Sequence, residues 1–96
     1  MQFEIDIAFE AEKDLAGIQP FYRAQILDAI ATHLQHTPTQ ASRSRIKRLQ
    51  LLDSPAYRLR VGEYRVYYDV DTGASAVTIL RILSKEASLS YLRGGR

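Results

Sequence analysis

Three arginines lie close together in the segment YRLRVGEYRVYY, residues 57–68. Apolar and polar residues alternate on both sides of the Gly-Glu pair at 62–63, which predicts two β-strands joined by a two-residue turn. With glycine first, a type II′ turn is expected, and Arg60 then lies directly opposite Arg65. Like charges at such positions cost about 0.2–1 kcal/mol, so stability does not account for the arrangement. Because guanidinium groups bind phosphate through paired hydrogen bonds, these two arginines and Arg58 favour an anion-binding surface.

The same pairing divides the hairpin into two faces. One face is apolar and suited to packing against helices: Tyr57, Leu59, Val61, Tyr64, Val66, Tyr68 and Val70. The other face carries the three arginines with Tyr67 and Asp69, and the Tyr67 ring is expected to stack on a base. The alternative is an ordinary solvated hairpin whose arginines are neutralised by Glu63, Asp69 or Asp71.

Charge is distributed unevenly along the chain. Residues 1–42 carry two basic and six acidic side chains, a net charge of 2 − 6 = −4, whereas residues 43–96 carry eleven basic and five acidic ones, 11 − 5 = +6. A basic half favours a polyanionic partner, either nucleic acid or an acidic protein. The basic cluster Arg43/Arg45/Lys47/Arg48, together with Arg81 and Lys85, adds to the charge of the arginine hairpin.

Other side-chain chemistry is sparse. The chain has no cysteine, which excludes disulfides, thiolate nucleophiles and Cys-based zinc sites. His33 and His36 stand near the predicted end of a helix without a carboxylate cluster, so we expect no metal site there. The serines at 84, 88 and 90 lack a Ser/His/Asp context, and no phosphate-cradling glycine loop is present.

The periodicity predicts one α+β domain spanning residues 1–96. Its expected order is β-α-α-β-β-β followed by a short C-terminal helix, with a sheet packed on a helical pair. The expected elements are a strand at 2–8, helices at 9–18 and 21–34, a strand at 45–52, the hairpin, an internal strand at 76–83 and a helix at 85–92. Neither a signal-peptide pattern nor an apolar run of membrane-spanning length is seen, so we expect a cytoplasmic protein without membrane contact.

The order of elements and several sequence words resemble the RelE/ParE superfamily of toxins from bacterial type II toxin-antitoxin systems. The words are AFEAEKDLAGI, RAQILDAIATHL, RIKRL, YRLRVGEYRVYYDVD and TILRILSKEASLSYL, which together cover nearly the whole chain. This resemblance implies a small RelE-like fold, with a mostly antiparallel twisted sheet packed on an N-terminal helical hairpin.

The resemblance also implies an activity. RelE-like members are ribosome-dependent messenger RNA endonucleases, and we take this branch as the first hypothesis; ParE-like members inhibit DNA gyrase, which is the alternative. A third hypothesis is a catalytically degenerate homologue that only binds antitoxin. The implied partners are a cognate antitoxin, in a heterotetramer or larger complex, and the ribosome with messenger RNA in its A site. No cofactor is implied.

Site residues follow from the resemblance position by position. The implied catalytic residues are Arg65, Lys85 and Tyr91, which would promote attack of a ribose 2′-hydroxyl on the adjacent phosphate. The resemblance also implies that Arg58 and Arg60 bind RNA, and the pattern of charged and aromatic residues adds Tyr67, Lys47, Arg48 and Arg81 to the expected RNA-binding set. A well-studied branch has lysines at the positions of Arg58 and Arg60. Because arginine stays protonated, Arg58 is a poor general base, so either Tyr91 or Lys85 accepts the proton or the chemistry is weak and the nuclease slower.

Overall fold

The computed structural model describes residues 2–50 and 53–93, which form five strands and three helices. Their bounds are β1 (Glu4–Ile7), α1 (Phe9–Ala16), α2 (Pro20–Leu34), β2 (Ile46–Arg48), β3 (Tyr57–Val61), β4 (Tyr64–Asp71), β5 (Ala76–Ser84) and α3 (Lys85–Leu92). The predicted α+β class and element order are confirmed. The strand expected at 45–52 is shorter than predicted, and its positions 51–52 lie outside the described residues. Within the described ranges, no helix is long and apolar enough to cross a membrane.

The five strands form one sheet in the order β1-β5-β4-β3-β2. β1 runs parallel to β5, and the other three pairings are antiparallel, as expected for a mostly antiparallel sheet. β5 lies between β1 and β4, which confirms its predicted internal position and explains its apolar sequence. β1 is shorter than β5 and ends at Ile7, opposite Ile79, so the C-terminal half of β5 extends beyond its parallel neighbour.

One face of the sheet packs against α1 and α2. The buried side chains of the helices come at helical spacing, and they meet fully buried side chains of β3, β4 and β5: Ala11, Leu15, Ile26, Ile30, Leu34, Leu59, Val66, Tyr68, Val77, Ile79 and Ile82. The turn between the helices is held by Arg23, whose guanidinium donates to the carbonyls of Leu15 (3.0 Å) and Ile18 (2.8 Å). The helical hairpin therefore presents a continuous apolar surface to the sheet.

The β3–β4 hairpin has the register predicted from its sequence. Arg60 pairs with Arg65 and Arg58 pairs with Tyr67, on either side of the turn at 62–63. Gly62 has a φ of 57°, the left-handed value that the first residue of a type II′ turn requires and that glycine adopts without strain. Because side chains alternate across a strand, this register directs all three arginines away from the helices.

The second face of the sheet is covered in part by α3. Ser84 caps this helix by accepting a hydrogen bond from the Ala87 N–H at 3.1 Å. The helix then folds back over the sheet, so that the ring of Tyr91 lies 5.1 Å from the ring of Tyr67. The remaining part of this face carries the arginines of the hairpin.

Candidate functional site

Four basic side chains share the part of the sheet that α3 leaves uncovered, and we call this set the basic face: Lys47, Arg58, Arg60 and Arg65. Lys47 of β2 lies opposite Arg58 of β3, and Arg60 lies opposite Arg65 of β4. Lys47 and Arg60 are exposed, whereas Arg58 and Arg65 are half-buried. The sheet thus brings together four of the predicted site residues.

Arg58 is the most unusual member of the basic face. Its Nε atom is buried and has no hydrogen-bond partner among the described residues. Burial lowers the pKa of its guanidinium, and the positive charges of Arg65 and Arg60 lower that pKa further. Since arginine nevertheless stays protonated, a buried donor and a concentrated positive charge are left uncompensated. An anion bound here would satisfy both.

Two of the three carboxylates that might have neutralised this face, those of Asp69 and Asp71, are engaged elsewhere. Asp69 accepts hydrogen bonds from the Ser54 hydroxyl and from the Ala56 N–H at 2.7 Å, which fixes the loop before β3. Asp71 accepts from the Ala74 N–H at 3.1 Å in the β4–β5 turn. In residues 2–50 and 53–93, only Lys13 and Arg81 form ion pairs. The described chain therefore gives the three hairpin arginines no carboxylate partner, contrary to the solvated-hairpin alternative.

Arg65 is held against the turn of the hairpin. Its Nη1 donates to the carbonyl oxygens of Gly62 at 2.9 Å and Tyr64 at 3.0 Å. These bonds restrict the side chain to one position, and the rest of its hydrogen-bond donors stay free for a ligand. The restrained Arg65 and the half-buried Arg58 are together suited to stabilising negative charge at a fixed point.

Arg81, predicted to bind RNA, is committed to a carboxylate instead. Its Nε and Nη2 atoms donate to the two carboxylate oxygens of Asp14 at 2.8 and 3.1 Å. The hydrogen bonds with Asp14 raise the pKa of the Arg81 guanidinium. This pairing corrects the expectation that Arg81 adds a free cation to the RNA surface.

Tyr67 also differs from expectation. Its side chain is 1% exposed because Tyr91 of α3 lies over it, so its ring is closed to a stacking base. Tyr91 itself is half-buried, and the guanidinium carbon of Arg81 lies 5.7 Å from its ring centre. Burial raises the pKa of the Tyr91 phenol, and this effect outweighs the opposing effect of Arg81. A phenol with a raised pKa is a weak proton acceptor at neutral pH.

Arg48 and Lys85 lie apart from the basic face. Arg48 pairs with Tyr57, its guanidinium carbon lies 5.3 Å from that ring, and it donates to the carbonyl of Ala56 at 2.9 Å. Because Tyr57 points toward the helices, Arg48 and Lys47 lie on opposite faces of β2, as strand parity would have indicated. Lys85 is exposed at the start of α3, beside a shallow cavity that Glu63 and Leu89 also line.

One charged residue of this region, Asp14, was missed. It lies on α1, sixty-seven residues before Arg81, and also accepts a hydrogen bond from the Ile82 N–H at 2.8 Å. Nothing in the local sequence of α1 distinguishes it from Glu10 or Glu12. Only the packing of α1 along β5 reveals its role.

Comparisons with known proteins give a family and a fold. A model of the family described as "ParE toxin of type II toxin-antitoxin system, parDE" matches residues 5–88. The toxin-antitoxin complex RelBE2 from Mycobacterium tuberculosis contains a similar chain, with 24% identity, a TM-score of 0.70 and coverage of 88% of this chain and 99% of that one.

Two archaeal structures give similar results. The RelB-RelE antitoxin-toxin complex from Methanococcus jannaschii contains a chain with 23% identity and a TM-score of 0.68. The match covers 90% of this chain and 96% of that one. The RelE-RelB complex from Pyrococcus horikoshii OT3 contains a chain with 19% identity and a TM-score of 0.64. The match covers 88% of this chain and 97% of that one. At these identities the likeness concerns the fold. No curated protein matches the sequence.

Proposed function

The chain belongs to the ParE toxin family of type II toxin-antitoxin systems, and within this superfamily we propose the activity of the RelE-like branch, cleavage of messenger RNA in the A site of the ribosome. The observation that carries this proposal is the uncompensated charge at Arg58. A half-buried guanidinium with an unpartnered Nε, flanked by two more arginines, favours a polyanionic ligand. Phosphate groups of a single RNA strand have the required charge and hydrogen-bond acceptors.

The basic face is suited to the charge changes of RNA cleavage. As the ribose 2′-oxygen bonds to the adjacent phosphorus and the bond from phosphorus to the 5′-oxygen breaks, negative charge grows on the non-bridging oxygens. Arg58 and Arg65 would stabilise that charge, because neither is paired with a carboxylate among the described residues. Arg60 and Lys47, which are exposed, would hold neighbouring phosphates.

The 2′-hydroxyl proton needs an acceptor. Of the two predicted candidates, Tyr91 is disfavoured by the raised pKa of its phenol. Lys85 is exposed, and no hydrogen bond or ion pair within the described residues restrains its ammonium group. We therefore assign to water both the uptake of the 2′-hydroxyl proton and the protonation of the departing 5′-oxygen, and most of the rate enhancement to charge stabilisation and positioning. We expect a slower nuclease than one with a positioned base.

Primer extension on a message translated in a purified system tests this proposal directly. Wild-type protein should produce new 5′ ends within codons, and only when ribosomes are present. Arg58→Met should suppress these ends, whereas Lys13→Met, which removes an exposed cation of α1, should not. Absence of new 5′ ends with the wild-type protein would overturn the proposal.

Gyrase inhibition is the second candidate, and one observation favours it. Of the two side chains predicted to accept the proton, Tyr91 has a phenol with a raised pKa and Lys85 lies apart from the basic face, and a protein that only binds needs no acceptor. A supercoiling assay with purified gyrase, run beside the cleavage assay with the same protein, separates the two functions. Inhibition of supercoiling without RNA cleavage would establish the second.

An antitoxin partner follows from the family and is supported by the three similar structures, which are the toxin-antitoxin complex RelBE2 and two complexes of RelE with RelB. We propose that the cognate antitoxin places carboxylates on the basic face and covers exposed apolar side chains with an amphipathic helix. The exposed set includes Phe9, Phe21, Tyr22, Leu27, Leu89 and Leu92. Co-expression with the product of the neighbouring gene, followed by size-exclusion chromatography, should give one stable complex and should relieve growth inhibition.

A further inference from the structure

We propose that Asp14 is a positioning residue that sets the place of Tyr91, and with it α3, beside the basic face. This inference deepens the proposed function, and its activity arm rests on that function. Tyr91 would lie beside the bound RNA, whereas Asp14 would act on Tyr91 through Arg81. The relevant observations are three hydrogen bonds to one carboxylate and a row of side chains that leads from it to Arg58.

The carboxylate of Asp14 takes the place of a missing strand. β1 ends opposite Ile79, so the backbone N–H of Ile82 points toward the side of β5 where no strand continues. Asp14 accepts that N–H at 2.8 Å through Oδ2. A buried N–H without such a partner would be costly, so the position of α1 along β5 is fixed at this point.

The same carboxylate orients Arg81. Both of its oxygens accept hydrogen bonds from the guanidinium in a bidentate pair, at 2.8 and 3.1 Å. The Asp14 side chain is 14% exposed and that of Arg81 32%, so water competes weakly for these bonds. A guanidinium held at two points has a fixed plane and a fixed position.

Arg81 in turn contacts the tyrosine of α3. Its guanidinium carbon lies 5.7 Å from the Tyr91 ring centre, within the range of a cation–π interaction. The Tyr91 ring packs at 5.1 Å on Tyr67, which is paired with Arg58 in the adjacent strand. A continuous row of side chains therefore runs from Asp14 on α1 to Arg58, the member of the basic face whose Nε is buried and unpartnered.

Asp14→Asn tests the proposal, with Glu12→Gln as the matched control, since Glu12 lies on the same helix, is exposed and forms no ion pair among the described residues. Amide hydrogen exchange of α3 is the first readout. Weakening a charge-assisted pair should accelerate exchange of α3 amides by about tenfold to a hundredfold, relative to those of β4. Unchanged exchange in α3, or equal acceleration throughout the chain, would overturn the proposal.

Titration of Tyr91, followed by the NMR signal of its labelled phenol carbon, is the second readout. The groups that act on this phenol are Arg81, Asp69, Tyr67 and Asp14, together with burial. If Asp14→Asn releases α3, burial decreases and the pKa of Tyr91 should fall toward its ordinary value. An unchanged Tyr91 titration would overturn the proposal. Because loss of the Asp14 charge also lowers this pKa directly, Arg81→Lys, which keeps that charge, is titrated beside it, and a fall in Asp14→Asn without a fall in Arg81→Lys would overturn the proposal too.

A second variant and a cleavage measurement complete the test. If Asp14→Asn does not fold, Arg81→Lys, which retains the charge but loses the bidentate geometry, is measured with the same readouts and the same criteria. In the cleavage assay, Asp14→Asn should lower the single-turnover rate about tenfold with unchanged RNA affinity. If the wild type cleaves no RNA, only the proposed function fails, while exchange and titration still decide the role of Asp14.

Discussion

Arg58 and Arg81 occupy equivalent places on either side of Tyr67, in one row across β3, β4 and β5. Their environments are opposite. Arg81 donates to both oxygens of a carboxylate, and the pKa of its guanidinium is raised. Arg58 has a buried Nε without a partner, and the pKa of its guanidinium is lowered. The same residue type on one surface therefore has two roles, one structural and one suited to a ligand.

The difference shows how a cation on a sheet can be assigned a role. A guanidinium whose donors are satisfied inside the protein contributes to the fold, and removing it leaves a carboxylate without its partner. A guanidinium with a desolvated, unpartnered donor is costly to the fold and is expected where a ligand supplies the missing acceptors. Two matched substitutions, Arg58→Met and Arg81→Met, should separate these roles, because methionine keeps much of the apolar stem and removes the charge.

The largest expected effect is on cleavage by Arg58→Met. Loss of one donor aimed at the developing charge should lower the single-turnover rate about 10²–10³-fold. The free energy of unfolding, measured in urea, should stay within about 0.5 kcal/mol of the wild-type value or rise, since an uncompensated charge is removed. A variant that loses stability in proportion to activity would contradict the assignment of Arg58 to a ligand.

Arg81→Met should act mainly on stability, and its loss of cleavage should be no larger than the roughly tenfold loss expected of Asp14→Asn. The Asp14 carboxylate would keep the Ile82 N–H but lose both guanidinium bonds, which should lower the free energy of unfolding by about 1–3 kcal/mol. Urea denaturation measures this loss. Lys13→Met, which breaks an exposed pair with Glu10 at 3.9 Å, is the control and should change stability by less than about 0.5 kcal/mol. Equal losses in the two variants would remove the distinction between the paired and the unpaired arginine.

The sequence was sufficient to predict the surroundings of Arg58 that depend on local pattern. Alternation and the Gly-Glu turn were enough to place Arg60 opposite Arg65 and to turn the hairpin arginines away from the helices. These features depend on neighbours only a few residues apart. The family resemblance was likewise visible in sequence words, and the family model confirms it over residues 5–88.

The surroundings of Arg81 and Tyr67 depend instead on contacts between distant parts of the chain. The pairing of Arg81 with Asp14 joins residues sixty-seven positions apart, and the burial of Tyr67 requires α3 to fold back over the sheet. Neither has a periodic signal in the sequence. The irregularity in β5 opposite Tyr67 and Tyr68 is a further feature that could not be predicted, and it matters because a bulge changes which side chains share a face. The position of Arg48, by contrast, was available from strand parity alone.

Lys47 and Arg48 extend the comparison to adjacent residues on opposite faces of β2. Lys47→Ala should reduce the salt dependence of RNA binding by about 0.7 log units per lost phosphate contact, because Lys47 shares the basic face with Arg58. Arg48→Ala should leave that slope unchanged, since its guanidinium lies over Tyr57. Fluorescence anisotropy of a labelled single-stranded RNA over a potassium chloride series measures both. Equal slopes for the two variants would show that the basic face is not the RNA-binding surface.

The smallest effect is expected from Tyr91→Phe, which tests whether the phenol of Tyr91 takes part in proton transfer. Burial raises the pKa of the phenol, so the phenolate that would act as a base is scarce at neutral pH and appears only well above it. Within the described residues, its hydroxyl also makes no hydrogen bond, while the ring contacts Tyr67 and Arg81. Phenylalanine keeps those ring contacts, so the single-turnover rate should stay within about threefold of wild type, and the pH–rate profiles of the two proteins should coincide. A loss of 10²–10⁴-fold with unchanged RNA binding would instead identify Tyr91 as the proton acceptor.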